Sequence, residues 1–236
     1  MTDWQAAIPN ETGEFAADCE RFARFWRLSA DALSRLPAKR ARSAAQQQAA
    51  DELLTAARAA RKRFALAHTS TLYDRLTDGR RRFVRVQQLV YDAADRVPGL
   101  APARETVAAE SALPQRDKDG HEIDQGILLW ALLADAQAGR HLCHAMLLPR
   151  PEALERLPAL ERSGRLDLGA AEVRREGKAS VVILKNPRHM NAEDNTTLDN
   201  TEIAVDLAIL DPATEIAVLR GDTVQAGKFQ ARRVLG

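Results

Sequence analysis

The chain has 236 residues, 45% of them hydrophobic and 28% charged, with 34 Lys and Arg against 33 Asp and Glu for a formal net charge of +1. That length and apolar content suffice for one large domain or two smaller ones with a real core, while the balanced charge supplies no global field to recruit nucleic acid or an anionic membrane. Met1 to Asn10 lacks a basic stretch followed by an apolar run, and the longest apolar window, Ile127 to Ala134, is too short to span a bilayer, so a cytoplasmic protein without signal or transmembrane helix is expected.

The helical part declares itself by period. Phe15, Cys19, Phe22, Trp26 and Leu33 recur at steps of three, four or seven with charged residues between them, which predicts an amphipathic helix ending before Pro37. A second helix is expected from about Ala38 to His68, where Leu53, Ala57, Ala60 and Phe64 keep the same step and alanine supplies intrinsic propensity, with a break at Thr69 to Thr71. A third segment follows Asp78 and Gly79, placing Phe83, Val86, Val90, Ala93 and Val97 on one side, and Pro98 and Gly99 close it. Cys19 and Cys143 lie far apart in helix-patterned segments, the usual setting of reduced, buried thiols.

Pro102 to Asp124 reads as a loop. Its Asp117 and Asp119 invite a calcium site, yet the EF-hand glycine and terminal glutamate are missing from their positions, so a solvated turn is expected. Ile127 to Leu148, with Trp130 and Met146, is apolar almost all round and predicts a buried or interface helix. His141, Cys143 and His144 put at most two ligands on one helix face with no third nearby, so no metal site is predicted.

Composition shifts after Pro149 and Pro151. A short helix from Glu152 to Glu161 leads to Gly164 and Gly169, after which β-branched residues replace the Ala and Arg pattern, giving a helical domain over 1–165 and a second domain over 166–236. Ala171 to Arg175 and Ala179 to Leu184 read as two strands around a tight turn at Glu176, Gly177 and Lys178. A helix from about Ala192 to Leu210 and a third strand from Glu215 to Arg220 complete a ββαβ unit with a parallel pair.

The run Val173-Arg-Arg-Glu-Gly-Lys-Ala-Ser-Val-Val-Ile-Leu-Lys-Asn-Pro-Arg-His-Met-Asn-Ala192, then a helix, then Ile216-Ala-Val-Leu-Arg-Gly221, resembles the opening of the crotonase (enoyl-CoA hydratase/isomerase) superfamily. The helical extension, the wording from Asn186 to Leu198 and the Arg232-Arg-Val-Leu-Gly236 ending are similar to one branch in particular, the cofactor-independent dihydroxyphenylacetyl-CoA dioxygenases of glycopeptide-antibiotic pathways. The fold class this implies is α plus α/β: a helical domain for assembly and capping, then the start of a crotonase-type spiral that is incomplete at its C-terminal end.

The resemblance implies an oxidoreductase that converts 3,5-dihydroxyphenylacetyl-CoA through a thioester enolate and O2 to 3,5-dihydroxyphenylglyoxylate and coenzyme A, using neither metal nor flavin. In relatives two backbone N–H groups hold the enolate oxygen, and the first lies in a Gly-rich loop just after the third strand. Here that loop falls beyond Gly236, so no catalytic residue is assignable and the chain alone is expected to be inactive. The coenzyme A contacts carried over are Arg188, His189, Asn191, Ala192 and Lys228, with Lys185 behind them. On their own the cations read as surface charges beside a turn; the resemblance makes them partners for the phosphates of the nucleotide. Asn191 and Ala192 are expected to shape the loop and offer backbone contacts rather than side-chain chemistry. The implied partners are the acyl-CoA substrate, further copies in a trimer or hexamer, and a complementary C-terminal half as a separate chain. Two other readings stay open, a different superfamily enzyme (hydratase, isomerase or thioesterase) and a non-catalytic helical interaction module.

Overall fold

The computed structural model describes residues 4–225 and 227–235. The chain divides into two compact units, 1–147 and 148–236.

In the first unit α1 (Phe15–Ser34) buries Phe22, Phe25 and Trp26, the face predicted by the three-and-four spacing. Its entry is secured by Asp18, whose buried carboxylate accepts bonds from Thr12 N (2.8 Å), Thr12 Oγ1 (2.7 Å) and Gly13 N (3.3 Å) and pairs with His68 Nε2 at 2.8 Å. The long helix α2 (Ala44–Leu76) opens with a capping box. Ser43 Oγ accepts from Gln46 N, and the Gln46 side chain accepts from Ser43 N, so two otherwise orphaned donors are satisfied. No break occurs at Thr69 to Thr71. The Thr69 hydroxyl donates to Ala65 O at 2.5 Å instead of competing for another conformation, and Leu72 and Tyr73 beyond it are fully buried, so packing carries the helix on to Leu76.

The third predicted helix is shorter than its apolar pattern: α3 spans Val86–Arg96, and Phe83 lies before it, half exposed and stacked on His141. The expected loop over 102–124 contains helix α4 (Arg104–Ser111) and the first turn of α5 (His121–Ala134). Glu110, near the end of α4, accepts from the amides of Asp119 (2.7 Å), Gly120 (2.9 Å) and His121 (2.6 Å), which caps α5 from a distance. Asp119 forms a bidentate pair with Arg42, both contacts 2.7 Å. The expected single helix over 127–148 is two, α5 and α6 (Ala136–Leu147), because Asp135 caps the amides of Gln137 and Ala138. The corner needs Gly139, where a Cβ would sit 2.7 Å from Leu133 O. Nor is that stretch uniformly buried: Trp130 is 46% exposed and Leu147 80%. Cys19 is half-buried and Cys143 exposed on α6, so only the first approaches the expected setting, and both thiols are free.

Aromatic rings close this core, with Phe22, Trp26 and Phe64 at centroid separations of 5.4 to 5.7 Å. A buried charge cluster ties α2 to α5. Asp124, 1% exposed, meets Arg58 (3.1 Å), Arg61 (3.4 Å) and His121 (3.7 Å). Burial alone would push the Asp124 carboxyl up; the His121 bond and the two guanidiniums hold it below the usual range.

In the second unit α7 (Pro151–Ser163) packs on helix α8 (Leu198–Leu210) and on strand β1 (Arg165–Asp167), so the unit boundary falls at 147/148 and not at 165/166. β1 is too short to have left a periodic signal. It continues into β2 (Ala171–Glu176) and β3 (Ala179–Leu184), and β4 (Ile216–Gly221) completes a sheet of order β1-β2-β3-β4. The first two pairings are antiparallel and β3–β4 is parallel, as the helical crossover requires. Ala171, Val173, Val182 and Leu184 pack against Ile203, Ala204, Leu207 and Ala208 of α8. Arg175 fastens the hairpin to the end of α8 through a bidentate pair with buried Asp211 at 2.6 and 2.7 Å. β1 and β4 are the edge strands among the described residues, and β4 leaves Ile216, Val218 and Leu219 exposed. No described helix is long and apolar enough to cross a membrane.

The Asp124 hydrogen bond raises the His121 pKa above its ordinary 6.5. A group raised on folding contributes stability that is complete below its ordinary pKa and lost as pH climbs through the folded value. Thermal unfolding followed by circular dichroism between about pH 6 and 9 should therefore show the first unit weakening towards alkaline pH, and His121→Gln should flatten that slope. An unchanged slope in the variant would rule His121 out as its source.

Candidate functional site

The site forms at the carboxyl ends of the parallel strands β3 and β4, where open α/β sheets place their ligand crevices. After Leu184 the chain passes Lys185 and Asn186, makes a 3-10 turn over Pro187–His189, and then places two non-glycine residues in succession in left-handed geometry, Met190 at φ 56° and Asn191 at φ 63°. Such a pair needs support, and the side chains of Asn186 and Asn191 supply it.

Asn191 is 1% exposed. Its Oδ1 accepts from Asn186 N at 2.9 Å, while its Nδ2 donates to Asp222 O at 2.8 Å and to Val234 O at 2.9 Å. One amide thus closes its own loop and ties it to the segment that follows β4. Asn186 Nδ2 donates to Ala192 O (2.8 Å) and Asp194 Oδ2 (2.9 Å). Asp194 also accepts from the hydroxyl and amide of Thr196, which hold its carboxyl below the usual range. These local bonds keep residues 192–197 out of the helix, and α8 starts at Leu198 rather than near Ala192.

The segment after β4 folds back as a narrow loop, with Val224 N donating to Arg232 O and Ala231 N to Val224 O, each at 2.9 Å. It presses on Gly221, where a Cβ would lie 1.7 Å from Val234 O. No side chain fits there.

Arg188 and His189 are exposed on the 3-10 turn, and the Arg188 guanidinium makes no ion pair among the described residues. Lys228 is exposed on a second 3-10 turn, Gly227–Phe229, with Nζ 4.8 Å from the Phe229 ring centroid; Arg232 and Arg233 are exposed nearby in the same loop. Lys185 is already engaged by Asp167 (2.8 Å) and Glu172 (3.0 Å), so it is a fastener of the sheet. Ala192 gives its carbonyl to Asn186 and its amide to His189 O. Asn191 shapes the loop through its side-chain amide, which bonds to three backbone groups, where the sequence pointed to loop conformation and backbone contacts. Asn186, Asp194 and Gly221 were not anticipated as parts of the site; Asn before Pro and the Asp194-Asn-Thr196 spacing are the turn signals that carry them. In the first unit both ring nitrogens of His141 are engaged, by Tyr73 Oη at 2.8 Å and Arg80 O at 2.9 Å. No group of three His, Cys, Asp or Glu side chains that could hold a metal occurs among the described residues.

Exposed cations on this turn can meet an anionic ligand. Comparison with known proteins is more specific. Over 202 residues the chain is 43% identical to (3,5-dihydroxyphenyl)acetyl-CoA 1,2-dioxygenase of Amycolatopsis orientalis. The similarity covers 86% of this chain and 46% of the relative, so the chain spans less than half the length of the curated relative it matches. This agrees with the dioxygenase branch that the residues from Asn186 to Leu198 resemble. No family model matches the chain.

Replacing Asn191 with Ala should strand a buried amide and two carbonyls, at a cost of about 1 to 3 kcal/mol. Hydrogen exchange should then show protection lost at Val224 and Ala231 while α8 keeps its own. Equal loss in both would mean that the amide supports the whole unit rather than the loops.

Proposed function

We propose that this chain supplies the helical unit and the coenzyme A loop of a cofactor-independent dioxygenase acting on 3,5-dihydroxyphenylacetyl-CoA. The observation that carries the reading is the 43% identity over 202 residues to a dioxygenase of that name. The wording of the loop after β3, which resembles the crotonase superfamily, supports it from a second direction.

In this reading removal of a proton beside the thioester carbonyl creates an enolate conjugated with an electron-rich ring. The enolate passes an electron directly to O2, so neither metal nor flavin takes part. One thioester and one O2 give one aryl glyoxylate and one coenzyme A thiol, with every atom of O2 retained in the acid. This chain's share is binding. Arg188, His189 and Lys228 meet the phosphates of the nucleotide, while Asn191 and Ala192 keep the loop in the shape that presents them. The hydratase, thioesterase and non-catalytic readings have no comparable observation behind them.

The test is an oxygen-electrode assay with 3,5-dihydroxyphenylacetyl-CoA in chelator-treated buffer, on the complete polypeptide that carries this sequence. O2 uptake matched by thiol release is expected, and thiol release without uptake would point to thioesterase chemistry instead. Arg188→Ala should remove one charge-assisted contact, about 1.5 to 3 kcal/mol, and raise KM roughly ten- to a hundredfold with kcat nearly unchanged. Raised salt should shrink that difference, since the contact is exposed. A fall in kcat at constant KM would instead place Arg188 in the chemical step.

A further inference from the structure

Opposite charges that share a surface ordinarily find each other, and in the first unit Arg42, Arg58, Arg61, Arg63, Arg80 and Arg81 all form ion pairs. One cleft breaks the habit. Between the last turn of α2, the turn that follows it and α3 lies a cavity of about 360 Å³ lined by Arg75, Leu76, Arg82, Asp92, Asp95 and Arg96. Three guanidiniums and two carboxylates line it, yet none of the five enters an ion pair among the described residues. Asp92 and Arg96 stand four apart on α3, the spacing at which a helix pairs opposite charges, but Asp92 accepts from the Gln88 side chain instead. We propose that this cleft binds a small acidic zwitterion of the α-amino acid class, with two carboxylates and one ammonium, as in L-glutamate or L-aspartate.

Charge balance selects that ligand. Three positive and two negative side chains leave the cleft one positive charge in excess, and a ligand with two carboxylates and one ammonium carries one negative charge in excess. Each of its groups then has an opposite partner. Guanidinium presents parallel donors that match a carboxylate, while Asp92 and Asp95, three apart on one face of α3, supply acceptors for the donors of an ammonium. A plain dianion, or the phosphate surface of a membrane or nucleic acid, would instead be met by two carboxylates of its own sign. The room is that of a small-molecule site. Parts of the lining are fixed before anything binds: the Arg75 guanidinium lies 4.3 Å from the Phe15 ring centroid, and Arg82 N donates to Thr77 O at 2.9 Å. Leu76, 4% exposed, offers an apolar floor for the methylene stem of the ligand. Because the charged side chains remain open to water, dissociation is expected at about 10 μM to 1 mM. The inference is independent of the proposed reaction.

The test is isothermal titration calorimetry on the full 236-residue chain at low ionic strength, with L-glutamate and L-aspartate as probes. Glutarate, which lacks the ammonium, L-glutamine, which lacks the second carboxylate, and inorganic phosphate are the controls. At least one acidic amino acid should bind saturably, and each control should bind at least about tenfold more weakly. Arg96 and Asp95 are exposed, so Arg96→Gln and Asp95→Asn should keep the helicity seen by circular dichroism and each weaken binding roughly tenfold or more. Arg81→Gln, which alters a guanidinium paired with Asp78 and outside the cleft lining, should leave the affinity unchanged. Absence of saturable binding by both amino acids up to about 10 mM overturns the proposal. So does glutarate or phosphate binding as tightly as the amino acid, or Asp95→Asn tightening it, since either result describes a simple anion patch. Affinity that survives both Arg96→Gln and Asp95→Asn overturns it as well, by placing the ligand elsewhere.

Discussion

Everything at the ends of β3 and β4 depends on one buried carboxamide. Asn191 sits in left-handed geometry and satisfies three backbone groups at once, one in its own loop and two in the segment beyond β4. A buried donor or acceptor left unmade costs about 1 to 3 kcal/mol, so a residue that satisfies three is not exchangeable for an apolar one of similar size. The aspartate analogue would lose both donated bonds, and alanine all of them. Because Val234 O takes the place of a side chain on Gly221, the two loops meet backbone to backbone. A surface built in this way is held by hydrogen-bond geometry, independently of its exposed cations.

The helical unit uses the same device on a larger scale. Glu110 gathers three amides, Asp18 gathers the entry to α1, and Asp124 gathers two arginines and a histidine. Each carboxylate is buried with its partners complete, the condition under which buried charge organises structure rather than weakening it. These anchors explain why stretches rich in Asp, Lys and Gly are ordered here. The run from Gln115 to Gly120 looks like solvent-facing loop by composition, and Arg42 and Arg58 hold it against α2 from about sixty to eighty positions away in the chain.

Periodicity was enough wherever one face of an element is apolar and its ends carry stop signals. α1 before Pro37, β3 between Lys178 and Asn186, and the close of α8 at Leu210 all lie where spacing and turn residues put them. Errors arose where a local signal competed with a distant contact. The Thr69 to Thr71 run favours a break by propensity, but α2 continues because Leu72 and Tyr73 gain more from burial than the threonines lose. Asp135 ended a helix that the apolar pattern carried through, since a cap is a single residue and a hydrophobic window averages over it. β1 could not be seen because three residues hold no period.

At the candidate site the division runs along the same line. The sequence by itself determined the succession β2, β3, α8 and β4 with its helical crossover, the turn at Asn186 and Pro187, and the wording that resembles a coenzyme A thioester dioxygenase, because all of these leave patterns along the chain. Only the tertiary structure decided that Lys185 is spent on Asp167 and Glu172 while Arg188 makes no ion pair among the described residues, that Asn191 works through its side chain, and that α5 turns tryptophan and leucine outward. Those outcomes depend on which polar groups and apolar faces meet after the chain has folded, and no periodicity or turn signal names the distant partner that each of these side chains finds.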